Sequence, residues 1–210
     1  MKYNSYDIVP FLATPIANAS TDFRLSETEM NILLKEFSHR PFKTNEGTKL
    51  SGDKKILEKP ELKRLHDFMI SSVQHYVKHE LKIDDEFYLT TSWATVNEKG
   101  NKHHRHNHPN TLLSAVYYAN AESGNLSFHS PSNGLFPNFD FSFNVSEYNH
   151  FNSKGWTIPV KTGDLVIFPG WLYHESEVNE NDGLRVIVGA NFFARGTYGT
   201  YKDVDLLEIK

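Results

Sequence analysis

The spacing of apolar positions divides the chain near Asp85 into a helical part and an extended part. Before that point Met30, Leu33, Leu34 and Phe37 recur at i, i+3, i+4 and i+7, the stripe of an amphipathic helix. Ser26-Glu-Thr-Glu29 opens it as a capping box, in which a serine oxygen and a glutamate carboxylate each satisfy a backbone N–H left free at a helix start. A second helix begins at Pro60 and turns Leu62, Leu65, Phe68, Met69, Val73, Tyr76 and Val77 inward as far as about Leu81. Residues 8–17 are apolar, but Pro10 and Pro15 bar a helix or a central strand and predict an edge strand. Residues 43–58, with Gly47, Gly52 and unpatterned charge, read as a loop.

Beyond Asp85 the period becomes two, and aromatic and β-branched residues predict strands over 87–97, 112–119, 124–129, 156–160, 163–168, 174–178 and 184–193. Between them, residues 131–155 carry five phenylalanines and no period, so they form either a lid or further packing on the core. Two helices followed by about eight short strands predict an α+β, mainly β fold, its helices packed outside a curled sandwich or barrel. Without an internal repeat or a linker, residues 1–210 read as a single domain. An edge strand and helices occupy 1–84 and the β core 85–195, followed by a tail over 196–210 that docks or frays.

Composition narrows the function. The 39% hydrophobic and 13% aromatic content of 210 residues supports a folded core rather than disorder. A net charge of −4 gives no pull toward extended nucleic acid or an anionic membrane, and no apolar run is long enough to span one. With no cysteine, a metal site is limited to nitrogen and oxygen ligands, and a reducing cytoplasm is the expected location.

The candidate chemistry lies in Lys102-His-His-Arg-His-Asn-His-Pro-Asn110, four histidines in six positions. On extended backbone, i and i+2 point to one side, so His106 and His108 suit a shared ion; His104 has the same parity, and a solvated histidine-rich turn is the plainer alternative. Downstream, Thr162-Gly-Asp-Leu-Val-Ile-Phe-Pro-Gly-Trp-Leu-Tyr-His174 places a turn, a buried strand, a second turn and a histidine in succession. Arg185 sits among Leu184, Val186, Ile187 and Val188, where an unpaired charge would be costly; otherwise it is a surface residue after the 179–183 turn. Asn191 shares its strand face, and if Tyr118 points inward Tyr117 points outward. His75 and His79, at i and i+4 on the second helix without an acidic partner motif, read as surface residues.

Taken in order, His-x-His-Pro-Asn, Leu-Ser-Ala-Val-Tyr-Tyr, Ser-Gly-Asn-Leu-Ser-Phe, Gly-Asp-Leu-Val-Ile-Phe-Pro-Gly-Trp-Leu-Tyr-His and Arg-Val-Ile-Val-Gly-Ala-Asn-Phe-Phe resemble the Fe(II)- and 2-oxoglutarate-dependent oxygenases. The likeness is strongest to those common in bacteria and tailed phages and more distant to prolyl 4-hydroxylases. It covers about residues 87–195 and implies a double-stranded β-helix of the jelly-roll or cupin type. It also implies Fe(II), 2-oxoglutarate and O2 as cofactors, and hydroxylation of a small-molecule or peptidyl substrate with release of succinate and CO2. By position His106, His108 and His174 would hold the metal, and Arg185, Tyr118 and Asn191 the cosubstrate.

The pattern departs from the family at His108, where a carboxylate usually stands, and at Ile187, where many relatives carry serine. Either His108 ligates, completing three neutral histidines, or the site has two protein ligands and a water. Two rival readings follow: a cupin-type three-histidine enzyme that does not use 2-oxoglutarate, and a non-catalytic β-sandwich binding protein whose histidines hold a structural zinc or nothing.

Overall fold

The computed structural model describes residues 13–35, 40–41, 47–130, 143–199 and 206–209. Helix α1 spans Glu27–Lys35 and is capped as its sequence predicts: Ser26 N–H donates to Glu29 Oε2 at 2.7 Å, and Glu29 N–H donates to Ser26 Oγ at 3.2 Å. Of its apolar stripe Leu33 is fully buried, Met30 and Leu34 pack at the margin, and Phe37 lies outside the described residues. Helix α2, Lys63–His75, follows a 3-10 turn at Pro60–Leu62 and runs on through a π-helical turn at Tyr76–Glu80. The two helices are tied by Arg64 Nη1, 2.8 Å from the same Glu29 Oε2 that closes the capping box. Among the described residues, no helix is long and apolar enough to cross a membrane.

Among the described residues, twelve strands build two sheets. They are β1 (Ala17–Ser20), β2 (Arg40–Pro41), β3 (Lys49–Leu50), β4 (Glu86–Asn97), β5 (His103–His106), β6 (Leu113–Asn120), β7 (Leu126–His129), β8 (Gly155–Ile158), β9 (Asp164–Pro169), β10 (Tyr173–Ser176), β11 (Arg185–Tyr198) and β12 (Leu207–Ile209). The larger sheet has the order β1-β9-β6-β11-β4-β3-β2, with β12 added to β11; the smaller is β5-β10-β7-β8. From β4 to β11 each strand lies in the opposite sheet from its predecessor, except that β7 and β8 pair directly. That alternating antiparallel winding is a double-stranded β-helix.

The large sheet separates two apolar clusters. On its outer face Val186, Val188, Ala190 and Phe192 of β11 and Tyr117 of β6 pack against Leu65, Met69 and Val73 of α2. Its inner face turns Val116, Tyr118, Val166 and Phe168 toward Leu126 and Phe128 of the small sheet. The expected opposition of two adjacent tyrosines holds: Tyr117 Oη donates outward to Phe23 O, whereas Tyr118 is buried between the sheets.

Two local expectations shift. The edge strand expected over 8–17 is found at Ala17–Ser20, paired with β9, where neither proline interrupts the ladder; residues 8–12 lie outside the described residues. The stretch read as a loop over 43–58 contains β3, too short to show a period. At the start of the tail Gly196–Tyr198 continue β11 and pair with β12. Within 131–155, residues 131–142 lie outside the described residues, and Phe143 and Phe151 are exposed rather than packed on the core. His75 and His79 are exposed, as surface residues should be.

Because Glu29 completes the cap of one helix and is itself buried against Arg64 of the next, Glu29→Ala should lower unfolding stability by about 1–2 kcal/mol. Arg64→Ala should cost under about 1 kcal/mol, its side chain being 61% exposed. Urea titration of both variants tests the order.

Candidate metal and dicarboxylate site

Sheet pairing brings the two distant histidine segments together. β5 and β10 are neighbours in the small sheet, and His106 stands directly opposite His174. His108 lies beyond the end of β5 and is held there by a backbone clamp: its N–H donates to Gly170 O at 2.8 Å, and Gly170 N–H donates to Leu112 O at 3.0 Å. A Cβ on Gly170 would come within 2.5 Å of Thr111 O, so the approach of the His-Pro-Asn and Phe-Pro-Gly-Trp turns requires glycine there.

Each of the three imidazoles has its Nδ1 against an oxygen. His106 Nδ1 is 2.8 Å from His104 O, His174 Nδ1 is 3.0 Å from Leu172 O, and His108 Nδ1 is 2.6 Å from Asn191 Oδ1. Carbonyl oxygens only accept, so each Nδ1 carries the proton and each Nε2 is left with an exposed lone pair. Those of His106 and His108 face each other at 3.3 Å, and His106, His108 and His174 can all present a ligand nitrogen within 4.8 Å of one another. Two nitrogens bound at about 2.1 Å to one ion, at tetrahedral or octahedral angles, stand about 3.0–3.4 Å apart. Three imidazole acceptors gathered this closely with no donor among them suit a divalent cation.

Burial is the largest influence on all three rings. It lowers His106 to about 4 and His174 well below the ordinary histidine value, and lowers His108 against the opposing hydrogen bond from Asn191. The imidazoles are therefore neutral at pH 7, the form that ligates. Trp93 packs 5.3 Å from the His108 ring and Phe168 4.6 Å from that of His174, which keeps the surroundings apolar. The candidate metal-holding groups among the described residues contain histidines only. Glu175, adjacent in sequence to His174, turns to the other face and pairs with His129 at 2.8 Å.

Arg185 is 1% exposed and lies on the inner face of β11. Its Nη1 donates to the carbonyls of Gly124 and Glu177, both at 2.9 Å, and Nη2 donates to Ser176 Oγ at 2.8 Å. Its Nε is buried without a partner. Gly124, at φ +83°, is required by this arrangement because a Cβ would fall 1.4 Å from Nη1. Tyr118 is buried in the same interior, and its hydroxyl pKa is raised by burial and opposed by the Arg185 charge.

Asn191, expected to contact the cosubstrate, shares the inner face of β11 with Arg185, and its Oδ1 accepts from His108 Nδ1 at 2.6 Å and from Ser114 Oγ at 2.9 Å. Sequence reading missed Ser176, which follows His174 at i+2 and so shares its strand face; that signal was available.

Residues 91–191 match the family described as "Putative 2OG-Fe(II) oxygenase", a stretch that includes every residue of this site. Solved structures agree in fold. The α-ketoglutarate-dependent carbocyclase SnoK from nogalamycin biosynthesis aligns with TM-score 0.60 at 18% identity, over 85% of this chain and 79% of its own. A Pseudomonas putida prolyl-4-hydroxylase aligns with TM-score 0.54 at 15% identity, over 87% of this chain and 94% of its own. HygX from Streptomyces hygroscopicus, solved with nickel, 2-oxoglutarate and hygromycin B, aligns with TM-score 0.57 at 12% identity, over 85% and 82%. No curated protein sequence matches at comparable significance. Residues 91–191 are thus similar to the 2OG-Fe(II) oxygenases, and the solved neighbours share the fold. His108 falls where the resemblance leads one to expect a carboxylate.

Since Asn191 orients His108 rather than touching an ion, Asn191→Ala should leave the fold intact and weaken divalent-metal affinity about 10–100-fold. Competition against a chromophoric chelator measures this, with unchanged far-UV circular dichroism as the control.

Proposed function

We propose that this protein is an Fe(II)- and 2-oxoglutarate-dependent dioxygenase that hydroxylates a C–H bond of a peptidyl or small-molecule substrate, releasing succinate and CO2. The observation that carries this reading is the convergence of the His106, His108 and His174 lone pairs, each fixed by an Nδ1–H bond to oxygen. His106, His108 and His174 would hold the iron, leaving open positions for ligands. When bound, iron with 2-oxoglutarate and O2 supplies the oxidising chemistry; the protein supplies orientation, charge and exclusion of water.

Arg185 is suited to the distal carboxylate of the cosubstrate. Gly124, Glu177 and Ser176 hold one side of the guanidinium, while Nε keeps a buried, unshared proton that a carboxylate oxygen can accept. Tyr118, on the neighbouring β6, stands within the electrostatic reach of the same guanidinium and can contribute its hydroxyl to that carboxylate. Charge balance does not demand a protein carboxylate: a doubly positive ion and a doubly negative acid offset each other. Phe168, Phe128 and Trp93 keep the space around the histidines apolar, which strengthens each of these charge interactions.

The all-histidine donor set also fits a cupin-type enzyme that does not use 2-oxoglutarate, and Arg185 separates the two readings. Under the oxygenase reading, anaerobic addition of Fe(II) and 2-oxoglutarate produces a weak visible metal-to-ligand charge-transfer band, and a chelator abolishes it. His174→Ala should lose the band through lost metal. Arg185→Met should retain metal but weaken 2-oxoglutarate by at least about 100-fold, the order of one buried charge-assisted pair. Gly124→Ala should weaken it in the same direction by displacing Nη1. Unchanged cosubstrate affinity in Arg185→Met would favour the cupin-type alternative, and succinate release in a substrate screen would identify the substrate.

A further inference from the structure

His103 has an orientation that strand alternation does not predict. By parity it should face away from His104 and His106. The ladder with β10, however, sets His106 opposite His174 and His103 opposite Ser176, three residues of advance against two. This bulge turns the His103 ring back to the His106 side, where the rings stack with centroids 4.4 Å apart and planes 22° from parallel. Its backbone N–H donates to Ser176 Oγ at 2.8 Å, the oxygen that also accepts from Arg185 Nη2 at 2.8 Å. One residue thus adjoins both the metal-facing histidines and the guanidinium.

We infer that His103 is a positioning residue for the dicarboxylate, its imidazole lying along the acid between the metal end and Arg185 and donating a ring N–H to it. This rests on the oxygenase reading above. The competing role is metal binding, since His103, His104 and His106 form a second group able to offer ligand atoms to one ion. That group shares His106 with the first. His106 Nδ1 is committed to His104 O, so only its Nε2 is available, and the two groups cannot both be filled. The group with His108 and His174 has the better claim because all three of its rings are locked with Nε2 outward. His103 is then left to meet the organic ligand.

Calorimetric titration of 2-oxoglutarate into the Mn(II)-loaded full chain tests this, with Mn(II) affinity measured separately by competition. His103→Phe, which keeps a ring but no donor, should weaken 2-oxoglutarate about tenfold, the loss of one hydrogen bond, and leave Mn(II) affinity within about twofold. His103→Asn, which restores a donor, should recover most of the loss. Unchanged 2-oxoglutarate affinity in His103→Phe overturns the inference. So does a parallel loss of Mn(II), which would assign His103 to the metal. Wild-type protein that binds Mn(II) but no 2-oxoglutarate would instead overturn the oxygenase reading on which the inference rests.

Discussion

Three hydrogen bonds from imidazole Nδ1–H groups to oxygen are the constraint on which the rest of the site depends. They remove the rotational and tautomeric freedom of His106, His108 and His174 and leave three acceptors facing one another. The Nε2 atoms of His106 and His108 stand 3.3 Å apart with both Nδ1 protons committed elsewhere, so the two lone pairs repel. The fold holds this arrangement nonetheless by using backbone for two of the anchors. His104 O and Leu172 O belong to the same chain segments as the rings they orient, so strand and turn geometry sets the ring direction directly. Only His108 relies on a remote side chain, Asn191 of β11, which explains how a residue far from the metal-binding segments enters the site.

The winding of the two sheets serves the same end. β5 and β10 pair only because the chain crosses between sheets at nearly every connection, and the pairing is completed by the exchange between His108, Gly170 and Leu112. β11, at the centre of the large sheet, bears apolar residues toward the helices and polar ones inward, so one strand contributes Arg185 at one end and Asn191 at the other. The helices stabilise the outer face of that strand through Leu65, Met69 and Val73.

Much of this was legible in the sequence, since period and punctuation carry element type. The capping box at Ser26–Glu29, the apolar face of α2 and the opposed Tyr117 and Tyr118 are local rules that packing did not override. The meeting of the His-x-His segment with His174 was legible through family likeness rather than spacing. What escaped had two physical causes. Two-residue strands such as β3 have no period to detect. The bulge at His103 depends on the register between β5 and β10, a nonlocal property that reverses which face a side chain occupies without leaving a mark in composition. Parity placed Asn191 on the inner face but could not disclose its bond to His108, because parity fixes a side and says nothing of position along a strand.

The charge inventory of the interior bears most directly on ligand choice. Arg185 is buried with carbonyl and hydroxyl partners and no salt-bridged carboxylate among the described residues, and one of its N–H groups has no partner. An isolated buried cation of this kind costs several kcal/mol. The candidate metal-holding groups among the described residues contribute no negative charge, so a divalent ion bound at the histidines would, with the guanidinium, present about three positive charges to the space between them. A monoanion would leave most of that field unbalanced, and a neutral ligand all of it. A dianion with its charges at opposite ends would offset both, and with no carboxylate in the candidate metal-holding groups among the described residues the site depends on it the more. Metal and acid should therefore bind with strong mutual reinforcement, more so than where a carboxylate already neutralises part of the ion's charge.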